Sequence, residues 1–174
     1  IADVDGDGIL DIVTANGGSD DISILRGHCD GTFATEQRLR MPDGLYGVAV
    51  ADLNNDGNAD LLSAIFIDDT RTIGVALGLG EGFFGPLTLY GDQDAGFSRL
   101  ASIEDFDGDG NLDLVAWNST TNEVVIMLGA GDGGLVEGSR YAIGQRPARV
   151  IAADFNVDGH LDLAVASSET SDTV

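Results

Sequence analysis

The chain has 174 residues, enough for one domain with a sizeable core, and its 43% hydrophobic content places it among globular proteins. A formal charge of −22, from 30 Asp plus Glu against 8 Lys plus Arg, argues against a nucleic-acid surface and against docking on an anionic membrane. Gly is abundant at 25 residues and Pro scarce at 3, which favours tight turns over a Pro-rich disordered segment, and no apolar run nears the roughly 20 residues of a membrane helix.

In chain order, the first landmark is "DVDGDGILDIV" from Asp3. Nearly the same string returns as "DLNNDGNADLL" from Asp52, "DFDGDGNLDLV" from Asp105 and "DFNVDGHLDLA" from Asp154, at offsets of 49, 53 and 49 residues. A fixed period near 50 is the mark of a propeller, solenoid or array. The chain divides into units of approximately 3–51, 52–104 and 105–153 and an incomplete 154–174, within one domain spanning 1–174.

Each full unit carries the same succession. An apolar run ("YGVAVAD", "RVIAADF") leads into the Asp string, and "LDIVTAN", "ADLLSAI" or "LDLVAWN" follows it. After a polar gap come "ISILRG", "IGVALG" or "VVIMLG", then a Gly-rich turn, then "QRLRM", "LTLY" or "SRYAIG". These are short β-branched and apolar segments bounded by Gly, Asn and Asp, with no sustained helical period. The expectation is an all-β protein of four-stranded antiparallel units, arranged as a β-propeller with about three and a half blades present. Closed propellers have about four to eight blades. The expectation is therefore a piece of a larger propeller, or blades completed by neighbouring chains, since open sheet edges invite pairing.

The Asp string has the chemistry of a cation loop. Oxygen side chains occupy positions 1, 3, 5 and 9 and Gly occupies position 6, the opening of the pattern D-x-[DN]-x-[DN]-G. Gly at 6 permits a sharp turn, and the carbonyl at position 7 can add a ligand. The first site would use Asp3, Asp5, Asp7, the Ile9 carbonyl and Asp11; the second Asp52, Asn54, Asp56, the Asn58 carbonyl and Asp60. The third would use Asp105, Asp107, Asp109, the Asn111 carbonyl and Asp113; the fourth Asp154, Asn156, Asp158, the His160 carbonyl and Asp162. A hard cation with six to eight oxygen ligands fits, so up to four Ca²⁺ are expected. An EF-hand needs Glu at position 12 and flanking helices; position 12 here is Thr14, Ser63, Ala116 or Val165, in strand-like surroundings. Fourteen of the 30 acids lie in these loops, so folding and metal binding are expected to be coupled.

The unit "VAVADLNNDGNADLL…IGVALGLGEGFF" resembles the FG-GAP/VCBS repeat family, the blades of integrin-α-like β-propellers, and the likeness runs over essentially the whole chain. That resemblance implies calcium in the hairpin between the first and second strands of a blade. It also implies a secreted or cell-surface setting and roles in adhesion or ligand recognition. Asn54 and Asn156 stand in place of Asp and predict weaker second and fourth sites, and "RGHCDGTF" places His28 and Cys29 at an unusual turn.

Alternating strand direction puts the 1–2 loops and the 3–4 turns on one face. The 2–3 and 4–1 connections, with Tyr46, Arg71, Phe97 and Arg146, lie on the other, where a protein or carbohydrate ligand is expected. Other signals weigh little. "GAGDGG" contains a formal GxGxxG but is followed by "LVEGSRYAIG", which does not read as the helix of a dinucleotide site. His28 and Cys29 are too few for a soft-metal site. Trp117 reads as packing, and "NST" from Asn118 fits a glycosylation acceptor in an accessible loop. The reading is a non-catalytic, extracellular, calcium-binding propeller. The alternatives are the propeller domain of a secreted polysaccharide lyase or lipid hydrolase, or a structural subunit of an extracellular assembly.

Overall fold

The computed structural model of the chain describes residues 1–67, 70–91, 99–118, 120–144 and 147–167. Phe97, Arg146 and the Ser119 of "NST" lie outside the described residues. Every regular element among the described residues is a β-strand. In the first unit β1 (Ile12–Asn16), β2 (Asp21–Leu25) and β3 (Gln37–Arg40) form an antiparallel sheet in that order. In the second, β4 (Leu45–Ala51), β5 (Asp60–Ile67) and β6 (Thr70–Ala76) pair in order. A small hairpin of β7 (Gly78–Gly80) and β8 (Phe83–Phe84) then precedes the fourth sheet strand, β9 (Thr88–Tyr90). The third unit is the four-stranded sheet β10 (Arg99–Glu104), β11 (Asp113–Asn118), β12 (Glu123–Gly129) and β13 (Leu135–Ala142). The fourth contributes β14 (Pro147–Ala153) and β15 (Asp162–Ser167).

The expected all-β, antiparallel character is therefore present; among the described residues the sheets of the four units have three, four, four and two strands. The β7–β8 hairpin was not expected; in its place the sequence suggests only a Gly-rich turn. Glu81 and Gly82 take φ of 52° and 69°, the left-handed values that let two residues reverse the chain there.

The sheets stack, and the sequence explains why. In β5, Leu61 and Ile65 pack toward the first sheet with Ile22, Ile24 and Leu45, whereas Leu62 packs toward the third with Ile73 and Val75. In β11, Leu114 and Ala116 face the second sheet, while Val115 and Trp117 face the fourth with Val150. Successive side chains on a strand point to opposite faces, so a strand covered on both sides must be apolar throughout. That is why "DLLSAI", "DLVAW" and "VVIML" show no alternation. Each fully buried Leu, Ile or Val contributes roughly 1.5–3 kcal/mol. Trp117, 6% exposed, is a core residue as read.

The first sheet differs. Val13, Ala15, Ile22 and Ile24 face the second sheet, but their alternates Thr14, Asn16, Asp21 and Ser23 form a polar network on the far face. Asn16 Nδ2 donates to Asp21 Oδ1 at 2.8 Å and to Ser23 Oγ at 2.6 Å; the Ser23 hydroxyl donates to Glu36, and Arg38 pairs with Asp21 and Glu36, each at 3.1 Å. The Asn16 hydrogen bond, followed by those of Ser19 and Arg38, holds the Asp21 carboxyl below its ordinary value. Ser23, then Arg38, does the same for Glu36.

Asn118 corrects one expectation. It ends β11 only 1% exposed, and its Oδ1 accepts hydrogen bonds from the backbone N–H of Thr120 (2.8 Å) and Thr121 (3.0 Å). An Asn that caps the 2–3 turn from a buried position is not an accessible glycosylation acceptor.

Two measurements check this account. Gly129 lies so close to the Leu112 carbonyl oxygen that a Cβ would overlap it, whereas Gly18 faces open space. Gly129→Ala is expected to lose about 2–3 kcal/mol in urea denaturation and Gly18→Ala no more than about 0.5 kcal/mol. Because the carboxyls of Asp21 and Glu36 titrate below their unfolded values, their stabilisation is complete above roughly pH 5 and is lost as pH falls through the folded values. Asn16→Ala should raise the Asp21 midpoint toward the ordinary carboxyl range in a carboxyl NMR titration; an unmoved midpoint contradicts the assignment.

Candidate metal centres

Each Asp string forms a loop, and three of the four connect the first and second strands of a sheet: 52–60 from β4 to β5, 105–113 from β10 to β11, and 154–162 from β14 to β15. Loop 3–11 leads into β1, with Ala2 bridging Asp11.

One scaffold recurs. The position-1 carboxylate accepts backbone N–H groups on both oxygens. Asp3 takes those of Gly6 and Gly8, each at 2.8 Å, and Asp105 those of Gly108 (2.7 Å) and Gly110 (2.9 Å). Asp52 takes Asp56 (3.1 Å) and Gly57 (2.8 Å), and Asp154 takes Asp158 (3.1 Å) and Gly159 (2.8 Å). Position 3 accepts from the N–H of position 5 in all four: Asp5 from Asp7 at 3.3 Å, Asn54 from Asp56 at 3.1 Å, Asp107 from Asp109 at 3.1 Å and Asn156 from Asp158 at 2.9 Å. Position 5 accepts from the N–H of position 7. Ile9, Asn58 and Asn111 donate at 2.8 Å to Asp7, Asp56 and Asp109, and His160 donates at 2.9 Å to Asp158.

Position 9 is different in kind. Asp11, Asp60 and Asp113 are 0–1% exposed. Their Oδ2 atoms accept the N–H of position 2, from Val4 and Leu53 at 2.8 Å and Phe106 at 2.9 Å. Their Oδ1 atoms accept the N–H of a Gly at the end of the strand that follows the next turn, or two residues beyond it: Gly27 past β2 at 2.8 Å, Gly78 past β6 at 2.7 Å and Gly129 at the end of β12 at 2.8 Å. In the fourth loop Asp162 Oδ2 accepts from Phe155 at 3.1 Å. Reading the sequence by ligand spacing missed this clamp. Its trace was there: a Gly recurs 16, 18 and 16 residues after the position-9 Asp.

A second feature was half seen. Position 6 takes left-handed φ of 85–90° at Gly8, Gly57, Gly110 and Gly159, as expected, but position 4 does so too. Gly6 and Gly108 have φ of 79°, Asn55 58° and Val157 62°. Two left-handed residues with one residue between them curl the chain so that alternate side chains converge.

The convergence is greatest where all four positions are Asp. In the first loop carboxylate oxygens of Asp3, Asp5 and Asp11 lie within 4.8 Å of one another, and in the third those of Asp105, Asp107 and Asp109 do. Asp7 and Asp113 fall outside these triads, and among the described residues the second and fourth loops form none. There an amide takes the place of a carboxylate: Asn54 Nδ2 donates to Asp56 Oδ2 and Asn156 Nδ2 to Asp158 Oδ2, both at 3.0 Å.

The electrostatics follow. The Asn58 N–H, then the Asn54 amide, lowers the Asp56 carboxyl; the His160 N–H, then Asn156, lowers Asp158; and the Gly159 N–H leads in lowering Asp154. Burial raises the Asp60 carboxyl despite its two N–H donors, with Asp56 and Asp52 adding to the rise. Burial, then Asp7 and Asp11, raises Asp5. The donor set is wholly oxygen, and a carboxylate that has accepted one N–H per oxygen retains further lone pairs. Such a set suits a hard divalent cation and no soft one.

The strained position yields a test. Val157 is β-branched, left-handed and 88% exposed, with a conformational cost of roughly 1–2 kcal/mol. Val157→Gly is expected to raise stability in chemical denaturation by about 1 kcal/mol once the greater chain entropy of Gly is offset; a loss of stability would contradict this backbone.

The search of curated proteins found no match. A family model described as "FG-GAP-like repeat" matches the chain over residues 3–63 and 105–165, two stretches that between them contain all four Asp loops, the clamp carboxylates and the start of each strand that follows them. By that match over more than half of its length, the chain belongs to the FG-GAP-like repeat family.

Proposed function

We propose that this chain is a non-catalytic segment of an extracellular β-propeller, in which Ca²⁺ held in the Asp loops stiffens each sheet for adhesion or recognition. The observation that carries the reading is the convergence of three carboxylates within 4.8 Å in the first and third loops, on a scaffold that recurs four times. Asp3, Asp5, Asp7 and Asp11 would hold the first ion, and Asp105, Asp107, Asp109 and Asp113 the third. Asp52, Asn54, Asp56 and Asp60 would hold the second, and Asp154, Asn156, Asp158 and Asp162 the fourth, with one carboxylate fewer each. Bound Ca²⁺ would supply the positive charge that the buried, raised Asp60 carboxyl lacks.

Support for the propeller comes from the stacking of the sheets and from their first strands, since β4 lies beside β10 and β10 beside β14. FG-GAP repeats occur in extracellular adhesion and recognition proteins, and outside cells Ca²⁺ reaches the roughly 10⁻⁴–10⁻³ M at which such modules bind. Recognition is assigned to the end opposite the loops. There Tyr46 is 62% exposed, with the Arg71 guanidinium 5.8 Å from its ring centroid and 5.9 Å from that of Phe66. A cleft of about 490 Å³ beside it is lined by Tyr46, Val48, Arg99 and Ser102. An aromatic face with guanidinium groups suits a protein or carbohydrate ligand.

The test is calcium titration by calorimetry together with thermal melting. Saturable binding of up to four ions is expected. With about 10 mM Ca²⁺ and a Kd near 10⁻⁴ M, each filled loop stabilises by about 2.7 kcal/mol, a gain reversed by EGTA. Asp105→Asn should remove one ion from the stoichiometry. Melting that ignores millimolar Ca²⁺ would sink the reading.

A further inference from the structure

The residue before the clamp glycine is Arg26 in the first unit but Leu77 and Leu128 in the second and third. Leu77 joins the apolar core between the second and third sheets and fills the space over Gly133 in the next unit's 3–4 turn. Arg26 occupies the corresponding place over Gly82, where a Cβ would lie 2.7 Å from Nη2. Its charge, however, faces back into its own unit, with Nε 3.7 Å from an Asp5 carboxylate oxygen.

The guanidinium is fixed from the far side. Nη2 donates to the Glu81 carbonyl at 2.8 Å and to Gln37 Oε1 at 3.1 Å, Gln37 in turn donates to the Gly82 carbonyl at 3.3 Å, and the Phe83 ring centroid lies 5.9 Å from the guanidinium carbon. Swinging away from Asp5 would break these contacts. The first loop thus carries a tethered cation that neither Leu77 nor Leu128 can supply to the second or third.

We propose that Arg26 is the resident counter-ion of the first loop and makes it a weaker divalent-cation site than the third, although both have the same four Asp. The inference rests on the calcium reading above and reverses what carboxylate count alone predicts, which is equal first and third sites. A guanidinium next to one ligand carboxylate repels an incoming divalent ion and competes for that carboxylate's charge. At partly exposed positions this is expected to weaken binding by about tenfold. In return, the first loop keeps its carboxylates gathered at low calcium.

The test follows Ca²⁺ titrations of the ¹⁵N-labelled full chain by NMR, reading Gly6 and Gly8 for the first loop and Gly108 and Gly110 for the third. In the natural sequence the third loop should respond at about tenfold lower Ca²⁺. Arg26→Gln, which retains a donor for the Glu81 carbonyl but no charge, should bring the first midpoint down to the third and leave the third in place. Arg26→Lys should keep the first midpoint high, a distinction that a purely structural role would not produce. Should Arg26→Gln fail to fold, Arg26→Leu, which installs the residue that the second and third units carry there, should lower the first midpoint in the same way. Coincident midpoints in the natural sequence, or a first midpoint indifferent to Arg26→Gln, overturn the inference and leave the calcium reading standing. Silence of all four glycines in millimolar Ca²⁺ overturns both.

Discussion

The clamp at position 9 is the constraint from which the rest follows. A carboxylate buried without partners is among the most costly groups a fold can contain. Asp11, Asp60 and Asp113 are tolerated because each divides its two oxygens between the N–H that opens its own loop and the N–H of a glycine at or just beyond the end of β2, β6 or β12. Three chain segments are thereby tied at one point: the loop, the second strand that begins at the Asp, and the exit of the third. The approach is close enough that Gly27, Gly78 and Gly129 have no room for a side chain, since a Cβ on each would overlap the carbonyl of Leu10, Ala59 or Leu112. A hydrogen bond, a burial and a glycine are one requirement at three positions.

Much of this was legible. The strands announced themselves as apolar runs cut by Gly and Asp, and the repeat fixed their order. The loops were legible because an oxygen at every second position is an uncommon pattern. What escaped were features that only the folded geometry relates. Asp11 and Gly27 are a pair because β1 and β2 run antiparallel, and no local rule joins residues 16 apart. The left-handed bend at position 4 was hidden by its occupants, since Gly6 and Gly108 suggest it but Asn55 and Val157 do not. Asn118 looked like a surface sequon because its own hydrogen bonds to the turn were invisible in the string. The extra β7–β8 hairpin lay behind Gly residues that read equally well as a plain turn.

The first unit is polar where the others are apolar. Its outward face replaces the second set of core residues by Thr14, Asn16, Asp21, Ser23, Glu36 and Arg38, which satisfy one another. Its seam with the second unit places Arg26 where the next seam places Leu77. Alternation in "DISIL" and its absence in "VVIML" are therefore statements about neighbours: one apolar face for the first strand set, two for the third.

The loops also explain how so acidic a chain can be compact. Within the second loop two carboxylates four residues apart are pushed in opposite directions, Asp56 down by its N–H and amide donors and Asp60 up by burial. The backbone amides stabilise charge where the loop is open to water and cannot fully do so where it is closed. A group held ionised beside one whose ionisation is disfavoured leaves a local deficit of positive charge. Protons can correct it only by neutralising carboxylates one at a time, whereas a divalent ion among them would correct it at once. The same deficit is met differently in the first loop, where Arg26 stands against Asp5. Among the described residues, four copies of one backbone scaffold thus present three charge environments: four Asp with a guanidinium, four Asp without one, and three Asp with an amide. The differences between repeats, more than their likeness, set what each loop can hold.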